Sequence, residues 1–126
     1  MPFLVVPAYA AEGSNPNWFA LRKAMLGEEQ GTVNGFFEVS TSSDARVIKL
    51  LADISANGAS DNALKVNSSA NGGKEIFLDL NGHTLNRGLI DASGNATNHD
   101  HGSVIENEGT LTINDTSDGA DGKITG

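Results

Sequence analysis

The sequence predicts an all-β chain folded as a parallel β-helix, incomplete at about two to three coils and opened by a short N-terminal capping α-helix. Three observations carry this expectation. Ile76, Leu78 and Leu80 alternate with Phe77, Asp79 and Asn81 in EIFLDLNGHTL, the two-residue period of a strand with one buried face. From Ala45 onward such aliphatic runs are short and separated by segments rich in Gly, Asn, Ser and Asp. Strands this short need several stacked neighbours to bury a face. Finally, Phe77 is the one aromatic residue between Glu38 and Gly126, whereas a β-sandwich, the competing architecture, generally has aromatics in its core.

The elements follow in chain order. Residues 1–10 read as a signal-peptide remnant: Phe3, Leu4, Val5, Val6 and Pro7 form an apolar run that ends in Ala8-Tyr9-Ala10, whose Ala8 and Ala10 are small residues at the positions suited to signal-peptidase cleavage. Residues 11–44 read as an N-terminal cap holding an amphipathic helix near 16–26. There Trp18, Leu21 and Met25 fall at helical spacing, Asn15 is the N-cap, Pro16 lies in the first turn and Gly27 is the stop. A helix of about three turns is marginal alone in water, so it must lie against the rest of the chain. Glu28 to Gly35 read as a loop, followed by an apolar patch at Phe36, Phe37 and Val39. Residues 45–126 read as the coils. Their interior residues are Ile48, Leu50, Ala52 and Ile54, then Leu64 and Val66, Ile76, Leu78 and Leu80, Val104 and Ile105, Leu111 and Ile113, and Ile124. Asn81-Gly82 turns the chain between two extended runs. Arg87 to Gly102 reads as an outward loop, and the last coil, beginning at Thr110, is incomplete, so further C-terminal coils of the same chain are expected.

The runs ADIS at 52–55, LDLNGHTL at 78–85, and GTLTINDT with GKITG at 109–126 resemble the N-terminal coils of the pectin-lyase-like, right-handed parallel β-helix proteins of bacterial surfaces. The resemblance covers most of residues 18–126 and implies the hand of the helix and the capping role of the N-terminal segment. The family includes polysaccharide lyases, glycoside hydrolases and adhesins without catalytic function, so its implication for chemistry is broad.

Sixteen Asp and Glu against eight Lys and Arg leave a net charge of −8, which opposes nucleic acid as a partner. The chain has no cysteine, hence no disulfide framework and no thiolate metal site. No stretch approaches transmembrane length.

Candidate chemistry is sparse. Asp115, Asp118 and Asp121 in NDTSDGADG are weak candidates for calcium, since oxygen ligands alternate with glycines; their three-residue repeat departs from an EF-hand loop and fits a turn better. Asn98-His99-Asp100-His101, with His83, is the one clustered set of metal-type ligands, though two histidines one residue apart on an extended segment face opposite sides. Asp79, Asp91 and Arg87 are the nearest approach to a catalytic group, with Asp79 read as a solvated strand position. Asn67, Asn95 and Asn114 begin N-x-S/T triplets that the Asn-rich composition explains.

The expectation is an exported structural or adhesive module of a bacterial surface protein, secreted or displayed at the cell surface, with a polysaccharide or a host or cell-surface ligand as partner and no cofactor. The alternative is the non-catalytic beginning of a secreted polysaccharide lyase or glycoside hydrolase. The shortage of aromatic platforms for sugar rings favours the first.

Overall fold

The structure is a computed structural model that describes residues 16–57, 61–89, 93 and 103–126. The signal-peptide reading of residues 1–10 lies outside them.

Helix α1 (Pro16–Met25) starts at the proline, whose missing N–H costs nothing in a first turn. It ends where Gly27 adopts φ +95°. There the Gly27 N–H donates to Ala24 O at 3.0 Å and the Glu28 N–H to Lys23 O at 2.9 Å, the paired bonds of a Schellman stop. Trp18, Ala20, Leu21, Ala24 and Met25 are all fully buried. Two side chains bolt the helix to the loop before the fifth strand: Trp18 Nε1 donates to Asn62 O at 2.7 Å and Arg22 Nε to Ala63 O at 2.9 Å.

Among the described residues ten short strands form three sheets. The largest runs in the order β1 (Gly31–Val33), β2 (Phe37–Thr41), β3 (Ala45–Leu50), β6 (Glu75–Asp79), β9 (Leu111–Asn114). Its first two pairings, β1 with β2 and β2 with β3, are antiparallel; β3 with β6 and β6 with β9 are parallel. A second sheet pairs β4 (Ile54–Ser55), β7 (Thr84–Asn86) and β10 (Lys123–Thr125) in parallel, with β7 in the middle. A third joins β5 (Leu64–Asn67) to β8 (Ile105–Glu108), also in parallel. Register aligns Ile48 with Leu78 and Leu78 with Ile113, and likewise Ile54 with Leu85 and Leu85 with Ile124. Side chains from the helix and all three sheets join one hydrophobic core.

The fold is therefore mixed α/β and not the all-β right-handed parallel β-helix that the sequence predicts. Two features overturn the expectation. The helix is a constituent of the core rather than a lid on an all-β column, and the strands belong to separate small sheets, the largest of them mixed. The antiparallel part arises where the sequence reading placed a loop. Asn34 and Gly35 both take positive φ, 51° and 72°, and the Phe36 N–H closes the turn on Val33 O at 2.9 Å. This is the backbone that folds a tight hairpin, and it returns β2 along β1. Alternation identifies which face of a strand is buried but says nothing of its neighbour's direction. The segments holding Leu50, Leu78 and Leu111 do run parallel in one sheet.

Candidate functional site

Polar side chains gather at the corner where β6 gives way to β7. β6 ends at Asp79; Asn81 and Gly82, at φ 47° and 79°, then turn the chain. Asp79 Oδ1 accepts the Asn81 N–H and the Thr116 N–H, each at 3.0 Å, and Oδ2 accepts the Thr116 hydroxyl at 2.6 Å. The neighbouring loop answers with Asp115. Its Oδ1 accepts the Gly82 N–H at 3.1 Å, the Ser117 N–H at 2.9 Å and the Ser117 hydroxyl at 2.5 Å, while Oδ2 accepts the Gly122 N–H at 2.6 Å. On the other side of the corner, Asn81 Nδ2 donates to Leu50 O at 3.0 Å, and the Thr84 N–H donates to Asp53 Oδ1 at 2.9 Å. His83 Nδ1 lies 3.4 Å from the same Asp53 oxygen.

These donors set the electrostatics of both carboxyl groups. For Asp79, burial pushes the pKa up, but the Thr116 hydroxyl and N–H, the Asn81 N–H and the charge of Lys49 outweigh it, so the group sits below the ordinary carboxylate range. Asp115 is also held low, first by the Ser117 hydroxyl and N–H and then by the Gly122 and Gly82 N–H groups, against an opposing effect of burial. A carboxylate whose lone pairs face N–H and O–H donors is a weak base and a poor cation ligand, because those hydrogens occupy the positions that a proton or ion would take.

The residues singled out in the sequence meet different fates. Asp115 is a turn organiser, and Asp118 and Asp121 are exposed on the loop beyond it. Among the described residues no group of three or more His, Cys, Asp or Glu side chains could hold a metal ion. Asp79 is 7% exposed, not the solvated strand position expected. Arg87, expected at the start of an outward loop, is wholly buried; its Nη2 donates to Asp61 O at 2.7 Å and its Nε to Ser103 O at 3.3 Å. Burial lowers its pKa, with the charge of Asp61 opposing. Asp91, Asn95 and the Asn98-His99-Asp100-His101 cluster lie outside the described residues. Asn67 is half-buried and accepts the Ala70 N–H at 3.1 Å, whereas Asn114 is exposed at the end of β9.

One buried group escaped the sequence reading although a signal for it exists. Arg46 is 2% exposed and occupies the inward position of β3 two residues before Ile48, so alternation alone places it on the apolar face. Its Nε donates to Ala24 O at 2.8 Å near the helix C-terminus, and Nη1 donates to Thr41 Oγ1 at 3.4 Å. A cation there complements the helix dipole.

A second polar feature lies between α1, β5 and β8: a shallow pocket of about 170 Å3 lined by Arg22, Asn62, Ala63, Lys65 and Glu106. Arg22 is tied to Ala63 O, and Lys65 Nζ lies 3.0 Å from Glu108 Oε1. None of its lining side chains is a hydroxyl or thiol nucleophile.

No family model, curated protein or solved structure matches this chain. The resemblance to pectin-lyase-like proteins thus rests on the quoted runs alone. Among the described residues no helix is long and apolar enough to cross a membrane.

The outermost strands form the other notable surface. β9, β10 and β8 each end their sheet, pairing on one side only among the described residues. Ile113 on β9 is 46% exposed, and Leu111, Ile105 and Ile124 are half-buried against the core. The opposite side is covered, because α1 packs on β4 and β5 and the β1–β2 hairpin extends the first sheet beyond β3.

Proposed function

We propose that this chain is a structural and adhesive module that works outside the cell, at a bacterial surface, and engages a polysaccharide or another host or cell-surface ligand without transforming it. The observation that carries the reading is the use made of Asp79 and Asp115. Both carboxylates accept N–H and O–H groups from segments distant in the chain as well as from their own turn, an arrangement that braces this corner and leaves neither of the two groups a strong base. The exported setting rests on the Ala8-Tyr9-Ala10 pattern after an apolar run.

Two measurements test it. Beads carrying the purified chain should retain polysaccharide-coated particles or whole cells above bare beads, with no reducing or unsaturated ends released from any polysaccharide tried. Release of such ends by the wild type, lost in a folded Asp79→Asn variant, would overturn the reading, as would retention no better than bare beads. A reporter fused behind residues 1–15 and found only in the cytoplasm would remove the exported setting.

A further inference from the structure

We infer that Asn34 is a site of spontaneous covalent modification: in the folded chain it deamidates to aspartate and isoaspartate ahead of Asn71 and Asn81, and the isoaspartate opens the tip of the β1–β2 hairpin. The inference is independent of the adhesive reading above.

Asn followed by Gly is the pair in which this chemistry is easiest, because no side chain on the second residue hinders the approach of its backbone nitrogen. The Gly35 nitrogen, once hydroxide has taken its proton, attacks Asn34 Cγ. A new N–Cγ bond closes a cyclic imide as the Cγ–Nδ2 bond breaks, and the leaving group takes a proton from water to depart as ammonia, which restores the hydroxide. Water then adds to either ring carbonyl and cleaves its bond to nitrogen. One opening gives aspartate; the other gives isoaspartate, whose backbone runs through the β-carbon.

The fold contains its own control. Asn34-Gly35 and Asn81-Gly82 have nearly the same backbone, φ 51° and 72° against 47° and 79°, and each turn is closed by a bond across it, Phe36 N–H to Val33 O and His83 N–H to Leu80 O. What differs is the hold on the reacting atoms. At the second turn the attacking Gly82 N–H donates to Asp115 Oδ1 at 3.1 Å, and the departing Asn81 Nδ2 donates to Leu50 O at 3.0 Å. Stripping the Gly82 proton would also set a negative charge against the Asp115 carboxylate. At the first turn the Gly35 N–H has no acceptor among the described residues, and the Asn34 amide has one bond, Nδ2 to Asn17 Oδ1 at 3.2 Å. Both residues are exposed, and a Cβ on Gly35 would meet nothing within 4 Å, so the ring has room to close. Asn71-Gly72 is held like the second turn: Asn71 is 7% exposed, its Nδ2 donates to Lys74 O at 3.0 Å, and the Gly72 N–H donates to Ser69 O at 3.4 Å. Gly58, which follows Asn57, lies outside the described residues.

Neither product can donate to Asn17 Oδ1, since a carboxylate carries no hydrogen. Isoaspartate also adds one backbone atom to a two-residue turn, which pulls the Phe36 N–H away from Val33 O.

The full chain is kept in mildly alkaline buffer, folded and in parallel in urea, and digested at intervals for peptide mapping by mass spectrometry. In the folded chain Asn34 should convert about tenfold or more faster than Asn81, because the bond from Gly82 to a charged acceptor is alone worth about that factor. Asn71 should also lag behind Asn34, and in urea the three rates should draw together. Asp115→Ala should speed conversion of Asn81 about tenfold and leave Asn34 unchanged; should that variant fail to fold, the wild-type comparison decides by itself. The isoaspartyl form, separated by chromatography, should lose hydrogen-exchange protection at the Phe36 amide, whereas Asn34→Asp, with the same charge on an ordinary backbone, should keep it. Conversion of Asn71 or Asn81 as fast as Asn34 in the folded chain, ratios unchanged by urea, an Asn81 rate unmoved in a folded Asp115→Ala variant, or full Phe36 protection in the isoaspartyl form would each overturn the proposal.

Discussion

Leu78 is the residue on which the largest sheet turns. It is fully buried, pairs with Ile48 on one side and Ile113 on the other, and has no room to be replaced by a smaller side chain without leaving a void. Leu78→Ala should lower stability by about 2 to 5 kcal/mol, read as a shift of the urea midpoint at constant slope. Arg46 illustrates the opposite economy. Burial lowers its pKa, with Glu29 opposing, and the guanidinium is held by the Ala24 carbonyl and the Thr41 hydroxyl, while Nη2 has no hydrogen-bond partner among the described residues. A buried cation with an incomplete set of acceptors is tolerated where it closes a helix end.

At the scale of elements, the loops between strands are as closely fitted as the core. Gly122 shows why: a Cβ there would stand 2.6 Å from Leu80 Cβ and 2.5 Å from Asp115 Oδ2, and neither neighbour is the loose end of a long side chain. Gly122→Ala should therefore displace the Asp115 loop from β6, with a loss of about 1 to 3 kcal/mol and a fall in hydrogen-exchange protection of the Gly82 amide. Helix α1 has a comparable dependence on Gly27, whose φ of +95° suits glycine and whose added Cβ would lie 2.9 Å from Asn71 Oδ1. Gly27→Ala should cost about 1 kcal/mol or more in thermal unfolding, since both the backbone conformation and the contact oppose it.

Across the whole molecule, pH should act through the two low carboxyl groups. Their folded pKa values lie below the unfolded ones, so their contribution is complete above the unfolded value, about 4, and fades as pH falls through the depressed folded values. The melting temperature should be flat with respect to these groups near neutrality and drop on acidification below about pH 4. In Asp79→Asn, which starts less stable, the acid-induced drop should be smaller; an unchanged acid limb would show that other groups drive it. Because both carboxylates join chain segments far apart in sequence, Thr116 lying 37 residues beyond Asp79, acid should loosen the contact between passes before it melts individual strands.

The sequence by itself determined that the aliphatic runs around Ile48, Leu64, Ile76 and Leu111 are extended, which face of β3, β5 and β6 carries the core, where α1 begins and stops, and where Asn81-Gly82 turns the chain. All of these depend on residues within a few positions of one another: alternation, a proline in a first turn, a glycine that accepts positive φ. Even Arg46 was readable from the inward face of its strand, and Asn34-Gly35 was a hairpin signal present in the letters. The tertiary structure alone decided that β1, β2 and β3 pair antiparallel, that the described strands sort into small separate sheets with a helix in the same core, and that Asp79 and Arg87 are buried. Those outcomes depend on partners tens of residues away. A strand's period is the same whichever neighbour it meets, and a carboxylate's environment is set by the loop that folds over it rather than by the residues beside it in the chain.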